Sequence, residues 1–140
     1  MADKALLLFT DGACRGNPGQ GGAGAVLADT SGQTVAKVKK SLGHCTNNIA
    51  EYQALILGLG EALRKGCLSL AIFMDSELLV RQLQGVYRVK NPALKPLMDE
   101  IRGLLDGFDT WTVEHIPRSK NALADKLANE AIDEALKNSA

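Results

Sequence analysis

The sequence predicts a mixed α/β fold: one sheet of parallel and antiparallel strands with helices on its faces. Three observations predict it. Apolar runs of strand length occupy residues 5–11 and 68–74, and apolar residues recur at helical spacing in 46–65 and 121–137. Two further strand-like segments follow the first strand with only turn residues between them. Crossover helices demand parallel neighbours and hairpins demand antiparallel ones, so both must share the sheet.

Residues 5–11 (ALLLFTD) read as a buried strand, apolar on both faces. Residues 16–24 are dense in glycine, and segments 25–28 and 34–38 flank the turn signal Asp29-Thr30-Ser31-Gly32. The opening is therefore an antiparallel meander. Residues 46–65 form a helix with the stripe Tyr52, Leu55, Ile56, Leu59 and Leu63, closed by Gly66. Gly58 and Gly60 within it each cost about 1 kcal/mol against alanine, tolerable where a helix lies close on a sheet. Residues 68–74 give a second buried strand, and 76–84 and 92–105 give helices separated by a loop over 85–91. Residues 111–116 alternate as a last strand, and 121–137 form a final helix with Leu127, Ala131 and Leu136 on one stripe. The order is βββ-α-β-α-α-β-α, and ligands of such sheets sit beyond the carboxyl ends of the parallel strands.

The 140 residues suit one domain spanning 1–140, with 46% hydrophobic and 23% charged residues. Aromatics at 4% exclude a platform of several stacking rings. Sixteen basic and sixteen acidic residues cancel, so no global field draws in nucleic acid or an acidic membrane. Any phosphate-rich partner must be held by local geometry or by metal ions. Cys14, Cys45 and Cys67 are odd in number and lack zinc-ligand spacing, which points to a reducing interior. The longest apolar run, residues 5–9, falls far short of the ~20 residues of a membrane span, and the N-terminus lacks signal-peptide character. The expectation is a soluble cytoplasmic domain.

The strand-end rule picks out acids. Asp11 ends the first strand and Asp75 the fourth, and a right-handed crossover can place these strands side by side. Glu51 lies near the start of one helix and Asp125 near the start of another. Four oxygen donors without soft ligands suit a hard cation such as Mg²⁺ or Mn²⁺, and the cation offsets their mutual repulsion. Two such ions about 3.5–4 Å apart can activate a water and stabilise the leaving oxygen of a phosphodiester.

Each acid alone has an ordinary explanation. Asp11-Gly12 is a turn signal, Asn48 with Glu51 resembles a capping pair, Asp75-Ser76 resembles a helix N-cap, and Asp125 suits a helix dipole. Four acids at element ends facing one rim are harder to dismiss. Other motifs fare worse. Gly19-Gln20-Gly21-Gly22-Ala23-Gly24 formally satisfies GxGxxG but opens a hairpin, not a helix. Ser41, Ser69, Ser76, His44 and His115 lack a nucleophile-elbow context. Lys37, Lys39 and Lys40 read as a solvated edge-strand face.

Taken in order, several segments resemble type 1 ribonuclease H. They are Phe9-Thr10-Asp11-Gly12, Gly16-Asn17-Pro18-Gly19, Gly22-Ala23-Gly24, Thr46-Asn47-Asn48-Ile49-Ala50-Glu51, Met74-Asp75-Ser76, and Asn121 through Ala128. The resemblance spans nearly the whole chain and is nearest the compact archaeal and bacterial forms without a hybrid-binding domain. It implies a ribonuclease H-like five-stranded sheet, three antiparallel then two parallel strands. It implies a monomeric endonuclease that cuts the RNA strand of RNA/DNA hybrids, leaving 5′-phosphate and 3′-hydroxyl ends. It implies Asp11, Glu51, Asp75 and Asp125 as the catalytic set holding two Mg²⁺ ions, with Asp11 and Asp75 central. Strand choice would follow from contacts to 2′-hydroxyls. Asn17, Asn47 and Asn48 would face the minor groove, Thr46 and Asn91 would hold a phosphate of the DNA strand, and Ser76 would join the substrate contacts. Amide and hydroxyl donors can do this without a basic surface.

Two departures stand out. Many relatives carry a basic, tryptophan-bearing protrusion between the middle helices, whereas residues 85–91 offer only Arg88 and Lys90. That implies weaker, more salt-sensitive hybrid binding. Many also carry a glycine-flanked histidine loop before the last acid. Here the segment runs His115-Ile116-Pro117-Arg118-Ser119-Lys120-Asn121, and Arg118 or His115 is the candidate substitute, with Arg118 favoured because it lies in the loop. The rival readings are an exonuclease or double-stranded-RNA nuclease of the same superfamily, and a catalytically idle hybrid-binding module.

Overall fold

The computed structural model describes residues 4–138. Its five-stranded sheet runs in the order β3-β2-β1-β4-β5. Strands β1 (Ala5–Gly16), β2 (Gly19–Ala28) and β3 (Thr34–Cys45) pair antiparallel, and β1 pairs parallel with β4 (Ser69–Met74), which pairs parallel with β5 (Thr110–His115). The helices are α1 (Asn47–Arg64), α2 (Glu77–Leu83), α3 (Lys95–Leu105) and α4 (Ala122–Asn138), with a single 3₁₀ turn at Arg118–Lys120. The expected mixed sheet and element order are both present.

Alternation along the strands divides the apolar residues between two layers. Leu6, Leu8, Ala25 and Leu27 join Tyr52, Leu55 and Leu59 of α1 and Met98, Ile101 and Leu105 of α3 in the main core. Phe9 and Val26, on the opposite face, pack against Ala124 and Leu127 of α4. Helices therefore cover both faces, and β3 forms an edge whose Lys37, Lys39 and Lys40 are exposed. Lys39 reaches Glu134 of α4 at 2.6 Å.

The meander is longer than its apolar residues indicate. Asp11-Gly12 is no turn, because β1 runs on to Gly16 and pairs with β2 throughout, and only Asn17 and Pro18 intervene. Likewise β2 begins within the glycine-dense stretch. These glycines are strand residues because α4 lies directly on them: a Cβ on Gly22 would stand 2.2 Å from the Ala128 carbonyl oxygen, and one on Gly24 2.3 Å from that of Ala124. Helix α3 starts three residues later than residue 92, because 92–94 are spent on a turn in which the Ala93 N–H donates to Asn91 Oδ1 at 2.9 Å. The buried stripe of α4 ends at Ile132, which packs beneath Gly22, and Leu136 is exposed.

Helix α1 ends as expected. Gly66 adopts a positive φ of 76°, its N–H donating to the Leu63 carbonyl and that of Cys67 to Ala62. At its start the cap is Thr46, whose Oγ1 accepts the Ile49 N–H, and not the Asn48–Glu51 pair. That leaves the Glu51 carboxylate available elsewhere.

Candidate active site

Thr10 and Met74 are the last registered pair of the parallel strands β1 and β4, so Asp11 and Asp75 follow side by side where that pairing ends; Asp75 lies just past β4, whereas Asp11 lies inside β1, which runs on to Gly16, and does not end it as expected. The α2 cap is supplied by Ser76, whose Oγ accepts the Leu79 N–H at 3.4 Å, so Asp75 is spared that duty. Glu51 arrives because residue 12 has no side chain: a Cβ there would stand 2.2 Å from the Ala50 carbonyl carbon and 2.4 Å from the Glu51 nitrogen. The first turns of α1 thus rest on β1.

Asp11, Glu51 and Asp75 each present an oxygen within 4.8 Å of the other two. With Asn47, Arg118, Asp125 and Asn129 they line an open cavity of about 430 Å³. Asp125, half-buried on α4, lines the cavity beside the three-carboxylate group and shares a hydrogen bond with the Asp11 carboxyl, and Arg118 Nη2 lies 3.7 Å from its Oδ1.

Burial, reinforced by the charges of Glu51 and Asp75, holds the Asp11 carboxyl far above the ordinary carboxylate range. Burial also raises Glu51, opposed by the hydrogen bonds it receives from Asp11 and the Gly12 N–H and by the charge of Arg118. Without a cation both carboxyls therefore hold a proton more tightly than exposed carboxyls do. Glu51 Oε2 is buried and has no hydrogen-bond partner. An orphaned carboxylate oxygen, an all-oxygen donor set and like charges that repel are what a hard divalent cation satisfies. The residues present fit such an ion.

The remaining expected residues divide by position. Asn47 lines the cavity, and its N–H donates to Asn17 Oδ1 at 3.1 Å, tying the β1–β2 turn to the start of α1. Asn17, Thr46, Asn48, Ser76 and Asn91 lie outside the cavity wall. Of the two candidates for the histidine-loop role, Arg118 lines the cavity and His115 ends strand β5 outside it. Cys14 and Asn129 also line it, and neither was expected. Asn129 could have been found from spacing, since it lies four residues beyond Asp125 on the same helix face.

A family model described as reverse transcriptase-like matches residues 9–131. The chain is 43% identical over 127 residues to ribonuclease HI of Halobacterium salinarum, covering 91% of this chain and 64% of that protein. It is 41% identical over 136 residues to a bifunctional protein of Mycobacterium tuberculosis, covering 96% of this chain but 37% of that protein. The solved N-terminal RNase H domain of that mycobacterial protein superposes with a TM-score of 0.93 at 39% identity, covering 98% of this chain and 99% of the solved one. LC11-RNase H1, crystallised in complex with an RNA/DNA hybrid, superposes with a TM-score of 0.90 at 44% identity, covering 94% and 99%. The chain thus spans about a third to two-thirds of these full-length relatives and nearly all of the solved domains. With the sheet order, the clustered acids and this breadth of similarity in agreement, the chain belongs to the type 1 ribonuclease H family, in its compact archaeal and bacterial form.

Proposed function

We propose that residues 1–140 act as one ribonuclease H domain, an endoribonuclease that hydrolyses the RNA strand of RNA/DNA hybrids and leaves 5′-phosphate and 3′-hydroxyl ends. The observation that carries this reading is the convergence of Asp11, Glu51 and Asp75 where the parallel pairing of β1 and β4 ends, in an open cavity. Asp11, Glu51, Asp75 and Asp125 would hold two Mg²⁺ ions, with Mn²⁺ as a substitute. When bound, the ions supply an activated water and charge stabilisation at the departing 3′-oxygen. Arg118 sets a permanent positive charge at the cavity lip, beside Asp125, where negative charge develops on the phosphate.

Hydrogen bonding supports the recognition roles. Asn17 Oδ1, Thr46 Oγ1, Ser76 Oγ and Asn91 Oδ1 each accept a backbone N–H of this chain. Each oxygen is thereby held in place by one accepted bond, and the hydroxyl hydrogens and side-chain amide N–H groups are donors by nature. Donors without charge suit phosphate oxygens, 2′-hydroxyls and minor-groove acceptors on a molecule of zero net charge. Asn17, Asn47 and Asn48 would take the minor groove, and Thr46 and Asn91 a phosphate of the DNA strand, with Ser76 near the scissile strand. The domain would act as a monomer in the cytoplasm, where Cys14 and Cys45 remain thiols.

The test is cleavage of a blunt hybrid labelled on each strand, with and without Mg²⁺, beside single-stranded and double-stranded RNA. Internal, Mg²⁺-dependent cuts confined to the hybrid's RNA are expected. Asp11→Asn and Asp75→Asn should each remove the activity with unchanged far-ultraviolet circular dichroism. End-dependent cuts, cuts in double-stranded RNA alone, or binding without cleavage would replace this reading with one of its rivals.

A further inference from the structure

Asp125 is held differently from the other three acids, and the difference lies in a row of side chains crossing from β1 to α4. Asn129 Nδ2 donates to the Asp125 carbonyl at 3.0 Å and reaches its Oδ1 at 3.5 Å. Asn129 Oδ1 in turn accepts from Arg15 Nη2 at 3.3 Å, and Nη2 also reaches the Asn129 carbonyl at 3.5 Å. Arg15 Nη1 is anchored on Asp133 Oδ1 at 2.6 Å.

We infer that Asn129, oriented by the Arg15–Asp133 pair, is a positioning residue that sets the pose in which Asp125 joins the metal-holding acids. This rests on the proposed ribonuclease H reading and adds to it a residue with no direct role in the chemistry. The physical case has three parts. A neutral amide orients a carboxylate without competing with a cation for its charge, as an arginine or lysine at the same place would. The Arg15 charge is matched by Asp133 and reaches Asp125 only through the amide, whose N–H it polarises by donating to the amide oxygen. The contact to Asp125 Oδ1 is long, as is that from Arg118 at 3.7 Å, and the same carboxyl also meets that of Asp11 through a hydrogen bond, so Asn129 and Arg118 adjust a group already in touch with the cluster.

The experiment titrates Mn²⁺ by electron paramagnetic resonance into the full chain and its variants, and measures kcat and KM on a hybrid across Mg²⁺ concentration. Asn129→Ala should weaken Mn²⁺ binding and lower kcat, each by about tenfold, within the range usual for residues that orient ligands, with KM for the hybrid little changed. Arg15→Ala should shift both in the same direction and by less. In an Asp125→Asn background, Asn129→Ala should add nothing, since its effect passes through the missing carboxylate. Unchanged Mn²⁺ binding in a folded Asn129→Ala protein, or a full effect persisting beside Asp125→Asn, would overturn the inference. A wild-type chain that leaves hybrids intact while the Mn²⁺ pattern holds would refute the nuclease reading alone.

Discussion

The carboxyls of Asp11 and Glu51 both titrate above their ordinary values of 3.8 and 4.5, burial being the first cause for each. A group that binds its proton more tightly folded than unfolded stabilises the fold at acid pH, and that contribution is lost as pH rises through the raised value. The metal-free protein should therefore lose stability as pH climbs from the ordinary carboxylate range toward neutrality. Asp11→Asn puts a neutral group where ionisation is opposed by burial and by the charges of Glu51 and Asp75. Without divalent ions this variant should melt several degrees above the parent near neutral pH, the gap narrowing toward pH 5, as followed by circular dichroism. A parent equally stable across that range would show that the cluster carries no such strain.

Helix placement depends on small residues at defined points, and two glycines make the contrast. Gly24 sits beneath α4 with the Ala124 carbonyl 2.3 Å from where a Cβ would be, one residue from Asp125. Gly24→Ala should cost about 1–3 kcal/mol in urea unfolding, as overpacked positions do, and should also lower cleavage by moving the helix that carries Asp125. Gly60 on α1 has nothing within 4 Å of its Cβ position. Gly60→Ala should stabilise by about 0.5–1 kcal/mol and leave cleavage unchanged. The helical pattern of α1 treats Gly58 and Gly60 alike. They separate in the fold because Gly58 faces β1, where a Cβ would lie 2.7 Å from Leu8, whereas Gly60 faces open space. Element types were legible in periodicity, but the ends of β1, β2 and α3 were not, since glycine carries no side-chain pattern and turns consume residues that read as helix.

Across the molecule, cohesion and charge occupy different places. The main core lies between the sheet and helices α1 and α3, while the acids sit at a rim held apart from it. Chelation should therefore abolish cleavage yet leave a cooperative thermal transition. Returning Mg²⁺ should raise the melting temperature by mass action, about 2.7 kcal/mol at a hundredfold excess over the dissociation constant. Loss of the fold on chelation would contradict this separation. Among the described residues no helix is long and apolar enough to cross a membrane.

Strand and helix types, their order and the mixed character of the sheet were readable from the chain, because periodicity and turn signals are local properties. Spacing left each acid with an ordinary alternative. Packing resolved some of these: Thr46 and Ser76 took the caps and β1 ran through Asp11-Gly12, leaving the carboxylates of Glu51, Asp75 and Asp11 to meet. Neither the standing of Asp125 beside that trio nor its tie through Asn129 to Arg15 could be read from one dimension. Both depend on how far α4 settles onto Gly22 and Gly24, a distance set by contacts between residues a hundred or more positions apart.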